Sequence, residues 1–112
     1  ELKSRLTYKD GKLEGLYEAF QENGQLTETR TYRDGIEQNR TKFTYHENGQ
    51  LKLKGNFKGG KLDGLIEEFH ENGQLKNRGN LKDGNMEGLW EWFNEDGQIK
   101  TRENYKDGEL VE

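Results

Sequence analysis

The side chains in this sequence that could do chemistry are few, and they recur at one spacing. His46 and His70 stand 24 residues apart, each followed by a glutamate, Glu47 and Glu71. Imidazole nitrogen and carboxylate oxygen both ligate zinc, so the repeated pair raises a metal site. If the two copies lie in neighbouring β-hairpins, however, they are two strand spacings apart, roughly 10 Å. Zinc holds its ligands at about 2 Å, so one ion cannot serve both, and solvated histidines beside turns are the expectation. Glu18, Glu67 and Glu91 also occupy equivalent positions, with Glu68 beside the second. Paired carboxylates about 5 to 10 Å apart can cleave glycosidic bonds. That chemistry needs two different environments, one for the acid and one for the base, whereas a repeat copies one environment. A solvated row neutralised by Lys and Arg is therefore expected. The sequence has no cysteine, no Ser-His-Asp arrangement of the catalytic kind, no phosphate-binding loop and no dinucleotide-binding glycine pattern. Asn39-Arg40-Thr41 matches a glycosylation acceptor, which has meaning only in a eukaryotic secreted setting and is discounted. The reading is that the chain is not an enzyme and carries no cofactor.

Binding is better served. Trp90 and Trp92 flank Glu91, and Tyr17 and Ile66 occupy the same place in their repeats as Trp90. Tyr17, Ile66, Trp90 and Trp92 are the candidate binding residues, an aromatic stripe on rigid strands of the kind that anchors protein partners. Packing in a thin core is the competing reading. Tyr17, Ile66 and Trp90 each lie three residues before another aromatic, on the opposite face of an ideal strand. Either a bulge turns them inward or both faces carry apolar residues.

What positions these residues is a series of turns. Glu71-Asn72-Gly73-Gln74-Leu75 recurs as Glu22-Asn23-Gly24-Gln25-Leu26, as Glu47-Asn48-Gly49-Gln50-Leu51 and, nearly unchanged, as Glu95-Asp96-Gly97-Gln98-Ile99. A second series, Asp-Gly or Gly-Gly, ends at Gly11, Gly35, Gly60, Gly84 and Gly108. Both advance by 24 or 25 residues, a period that marks a repeat architecture. Such dipeptides between strand-like runs are the strongest short-range hairpin signal. Short strands are expected at Leu16 to Phe20, Thr41 to Tyr45, Leu65 to Phe69 and Leu89 to Phe93. Longer ones follow at Leu26 to Tyr32, Leu51 to Phe57, Leu75 to Leu81 and Ile99 to Tyr105, with Leu2 to Tyr8 opening the chain. That makes about nine antiparallel strands. A three-residue Glu-Asn-Gly loop with its glycine left-handed beside a bulge would set Phe20 opposite Leu26. The same loop sets Tyr45 opposite Leu51, Phe69 opposite Leu75 and Phe93 opposite Ile99. Leu13, Leu62, Met86 and Leu110 recur after the other turns and would close the core's second side.

The 112 residues suit a single domain, with units at about 8–31, 32–56, 57–80 and 81–104 and partial units at both ends. Only 28% of residues are hydrophobic against 36% charged, and mean hydropathy is −1.32. That composition approaches disorder, but the regular period and the aromatics in each unit argue for a thin, elongated fold with a narrow core. The second unit departs from the others: Asn39 replaces the second glycine, Glu37 replaces the recurrent Leu, and one residue is extra. A bulge or loosened loop is expected between Ile36 and Thr41. Bare ends would suit a piece of a longer array, or end-to-end self-association through exposed edges. No polybasic run accompanies the net charge of −4, which disfavours nucleic acid. Lys52, Lys54, Lys76, Arg78, Lys100 and Arg102 do recur on the long strands and keep a lipid surface as a weaker alternative. The compartment is left unassigned, between bacterial cytoplasm and, after removal of a signal peptide, the envelope or exterior.

The stretches Gly88-Leu89-Trp90-Glu91-Trp92-Phe93-Asn94-Glu95-Asp96-Gly97-Gln98-Ile99 and Gly64-Leu65-Ile66-Glu67-Glu68-Phe69-His70-Glu71-Asn72-Gly73-Gln74-Leu75 resemble the MORN repeat variant of many bacterial proteins. The YwqK-type antitoxin proteins are among them. The phrase running from Tyr8 to Gly15 fits the same pattern, and the second unit departs from it at Glu37 and Asn39. The resemblance implies a solenoid of stacked β-hairpins with a non-enzymatic, binding or scaffolding role. Some family members neutralise a protein toxin, and lipid or protein binding has been proposed for MORN repeats generally. The resulting expectation is an all-β hairpin solenoid serving as a non-catalytic protein-interaction module. An antitoxin is the alternative, and a peripheral lipid binder is less favoured.

Overall fold

Two turn chemistries reverse the chain. In the first, the Gln21 amide donates to the Gln25 carbonyl (2.8 Å) and the Gly24 amide to the Gln21 carbonyl (2.9 Å). This closes a three-residue Glu22-Asn23-Gly24 loop. The same bonds recur at His46, His70 and Asn94. Gly24, Gly49, Gly73 and Gly97 sit at φ of 88 to 91°, a conformation glycine adopts without steric cost. Asn23 contributes separately: its Oδ1 accepts from the Gln25 amide at 2.9 Å, as Asn48, Asn72 and Asp96 do in their turns. In the second chemistry both central residues are left-handed, for example Asp34 at φ 52° and Gly35 at φ 82°. That is the two-residue hairpin turn whose twist matches the strands.

The computed structural model describes residues 3–5 and 7–111. Its strands are β1 (Lys3–Arg5), β2 (Tyr8–Lys9), β3 (Lys12–Leu13), β4 (Gly15–Phe20), β5 (Leu26–Arg33), β6 (Ile36–Tyr45), β7 (Leu51–Lys58), β8 (Lys61–Phe69), β9 (Leu75–Lys82), β10 (Asn85–Phe93), β11 (Ile99–Lys106) and β12 (Glu109–Val111). Strands β1 and β4 through β12 form one antiparallel sheet of ten strands in chain order, and β2 pairs with β3 alone. The hairpins stack side by side in a single layer of 51 × 34 × 16 Å. Its radius of gyration, 16.4 Å, exceeds the roughly 13 Å of a compact domain this size. This is the elongated, thin-cored hairpin solenoid expected. Strands β6, β8 and β10 start directly after their turns, earlier than expected, and Glu109–Val111 adds a tenth strand to the main sheet. Of the expected opening strand, Leu2 and Leu6 lie outside the described residues.

The four rungs form as the loop length demands: Phe20 with Leu26, Tyr45 with Leu51, Phe69 with Leu75 and Phe93 with Ile99. Further from these turns, three residues of β8 (Asp63, Gly64, Leu65) stand opposite Asn56 alone. Likewise Gly88, Leu89 and Trp90 of β10 stand opposite Gly79. Two extra residues are an even number, so the pleat stays in phase and Leu62 and Ile66 keep to one face. The second unit resolves differently. Tyr32 pairs with Glu37 and Thr31 with Asn39, leaving Gln38 as a one-residue bulge in an unbroken β6.

Pairing then defines the faces. Ala19, Glu28, Lys42, Gly55, Ile66 and Gly79 form one continuous cross-strand row, which marks the front. Lys54, Glu67, Arg78, Glu91 and Arg102 form the adjacent row, on the back. Phe69 and Phe93, two residues beyond Glu67 and Glu91, share the back. Both faces therefore carry apolar residues, and no bulge is needed to turn Ile66 or Trp90. With no second layer, burial comes from neighbours on the same face: among the described residues the most buried apolar side chains are Ala19, Ile66 and Trp90.

Candidate binding face

The structure places all four candidate residues on the front but displays them unequally. Ile66 and Trp90 are buried, at 7% and 6% exposure. Trp90 lies flat across Gly79, where an added Cβ would fall 2.1 Å from Cδ2 and 2.2 Å from Cε2. Its indole N–H donates to the Asn80 carbonyl at 3.0 Å. Ile66 covers Gly55 in the same manner, with a tolerable approach of 3.0 Å. These two side chains hold the face together rather than forming an exposed stripe.

Tyr17 is half-buried beneath the Arg30 guanidinium, 4.8 Å from the ring centroid. Arg30 is held in turn by Glu28 (2.6 Å), Glu37 (3.8 Å) and the Tyr32 hydroxyl (3.3 Å). The Tyr32 hydrogen bond, with help from Glu28, pushes the guanidinium still further into its charged form. Lys42 stacks similarly over Phe57 at 4.9 Å. The first half of the front is thus aromatic but capped by the chain's own cations.

Trp92 differs. It is half-buried, its ring centroid 6.1 Å from Trp90 and 6.4 Å from Tyr105, the latter edge-on at 62°. It borders a shallow depression of about 290 Å³ shared with Lys100, Thr101, Glu103 and Tyr105. The Tyr105 hydroxyl donates to Glu103 Oε2 at 2.8 Å, a bond to a carboxylate that raises the phenol's pKa. Tyr105 belongs to this site although sequence reading passed it over. Its signal was the recurrence of an aromatic or Leu at Tyr32, Phe57, Leu81 and Tyr105.

The histidines, expected to be solvated, are half-buried and each is tied to the next hairpin. His46 Nε2 meets the Phe69 carbonyl at 2.8 Å and His70 Nε2 the Phe93 carbonyl at 3.0 Å. Gln25, Asn48 and Asn72 reach Gly49, Glu71 and Glu95 carbonyls in the same way. Each turn is bonded to the next, so the 24-residue recurrence of these side chains is structural. Among the described residues no group of three His, Cys, Asp or Glu is placed to hold a metal.

On the back, Glu91 is 8% exposed and lies between Arg78 (2.9 Å) and Arg102 (3.1 Å). The Arg78 hydrogen bond, then the two guanidinium charges, hold its carboxyl below the usual range. A general acid needs the opposite shift, so Glu91 is not poised as one. Of the recurrent basic residues these pairs neutralise Arg78 and Arg102, and Lys76 stands 3.9 Å from Glu68. A carboxyl depressed in the folded state contributes stability above its unfolded pKa, about 4.3, and loses it as pH falls through the folded value. Thermal melts should therefore show a steeper loss of stability below about pH 4 for the wild type than for Glu91→Gln. Parallel pH curves for the two proteins would show that the Arg78–Glu91–Arg102 ladder contributes nothing.

A single-layer array of stacked hairpins, stitched at its turns and offering open faces, defines a β-hairpin repeat protein. The family model described as MORN repeat variant matches residues 13–34, 41–58, 62–83 and 86–107. These segments cover well over half of the 112 residues, and the chain belongs to that family. The gap between the first two matches holds the Gln38 bulge. No curated protein matches the chain. Membership points to a repeat module for protein or membrane-lipid interaction, in a family that is generally non-enzymatic.

Proposed function

We propose that the domain is a non-catalytic module that binds a protein partner through its front face, with Trp92 as the principal contact. The observation that carries this is the state of Trp92: half-displayed, yet braced between Trp90 and Tyr105. An aromatic already held in place loses little conformational freedom on binding, which is what interface anchors require. Ile66 and Trp90 serve as the buried part of the same face, Trp90 directly beside Trp92, and Tyr17 extends the face toward the first unit. Neutralising a toxin by occlusion would be this same binding with a particular partner. A lipid surface is less favoured, because Arg78 and Arg102 are already committed to Glu91.

Immobilised domain and its Trp92→Ala and Trp92→Leu variants, each shown to melt cooperatively, should be offered a source lysate and anionic liposomes. The expected result is one stoichiometric protein retained by the wild type and at least tenfold less by either variant. Equal retention by all three would overturn the role of Trp92. Salt-sensitive liposome binding with no retained protein would replace the protein reading with the lipid one.

A further inference from the structure

Resting on that reading of the front face, we infer that Trp92, Tyr105 and Glu103 form a receptor for a guanidinium group, an arginine side chain on the partner protein. The argument begins with an internal comparison. Arg30, Gly55, Gly79 and Glu103 occupy one column, spaced 25, 24 and 24 residues apart. At its first position the chain supplies its own guanidinium, stacked on Tyr17 and bonded to Glu28. At Glu103 the charge is reversed. Glu103, paired across the strands with Trp90, lines the same depression as Trp92 and Tyr105, and among the described residues it makes no ion pair, its one side-chain hydrogen bond coming from the Tyr105 hydroxyl. Nor does any cation of the described residues stack on Trp92 or Tyr105, whereas Tyr17, Phe43, Phe57 and Phe93 each have one.

This part of the front thus presents two aromatic rings, set edge to face, and a carboxylate, around a depression of about 290 Å³. A planar guanidinium stacks on an aromatic face while its N–H groups bond a carboxylate, a combination that a point-charge ammonium matches less well. The carboxylate keeps acceptor capacity after accepting the single Tyr105 proton. Lys100 lines the rim of the same depression, so its ammonium opposes a bound cation, and removing that charge should strengthen binding.

The test uses the whole chain and a short arginine peptide, with lysine and citrulline versions as controls. Its readout is the two indole N–H resonances. The chain contains only two tryptophans, and Trp90, tied to Asn80, is the internal reference. Expected is a saturable shift of the Trp92 indole with the arginine peptide at millimolar concentration and a much weaker response to lysine. Citrulline, which is isosteric but uncharged, should give none. Glu103→Gln, a change that preserves shape, should weaken arginine binding about tenfold, and Lys100→Gln should tighten it several-fold. Equal response to citrulline, no shift at all, or unchanged affinity in Glu103→Gln would overturn the inference. A partner lost by Trp92→Ala but kept by Glu103→Gln, and not displaced by the arginine peptide, would sink the guanidinium receptor while leaving the interaction face standing.

Discussion

Replacing Gly79 by alanine is expected to cost on the order of 3 kcal/mol, against total domain stabilities of about 5 to 15 kcal/mol. The backbone at Gly79 is ordinary for a strand, so the penalty is steric. The new methyl would be driven into the face of the Trp90 ring, within 2.1 to 2.5 Å of three of its atoms. An indole tied to the Asn80 carbonyl at 3.0 Å cannot withdraw without breaking that bond. Gly55→Ala supplies the control. Its methyl would meet only the flexible ends of Ile66 and Leu62, at 3.0 and 3.2 Å, and should cost about 1 kcal/mol. Urea denaturation of both variants measures the difference. The Gly79→Ala penalty should also shrink when Trp90→Leu is added, because the two residues share one contact. Equal losses at Gly55 and Gly79, or strict additivity with Trp90→Leu, would show that the ring does not pack as described.

Trp90→Ala is expected to be as damaging, about 4 kcal/mol. The sheet has one layer, so no opposing element can collapse into the space. Gly79 would be uncovered and the Asn80 carbonyl would lose its donor. Trp92, which is half-buried, should cost less when truncated, and the two tryptophans thereby separate stability from recognition. Trp90→Ala should lose the cooperative thermal transition and any binding together. Trp92→Ala should lose binding while still melting cooperatively. A Trp90→Ala protein with a wild-type melting curve would return Trp90 to the exposed stripe that the sequence suggests.

How much of this was legible in the chain depends on how far each interaction reaches. The hairpins, their period and their rungs follow from contacts within about ten residues. A left-handed glycine, an Asn carbonyl capping its own turn and a three-residue loop leave one register, which is why Phe69 faces Leu75. Glu37 and Asn39 similarly announced an irregular second unit, and a bulge at Gln38 is there. The fate of the aromatic column was not legible. Ile66 and Trp90 are buried because Gly55 and Gly79 on the preceding strands leave room beneath them, while Tyr17, in the same column, meets Arg30. His46 and His70 look like solvated turn residues until the next hairpin supplies a carbonyl.

The sequence by itself determined the repeat, the turn types, the strand pairing and the absence of cysteine chemistry, because each is dictated by local backbone preference or by composition. Only the tertiary structure decided which aromatic is displayed, which glutamate is clamped between arginines, and which carboxylate lacks a cation. Those outcomes depend on neighbours one hairpin away. The two-residue bulges at Gly64 and Gly88 are part of the register that brings those neighbours together.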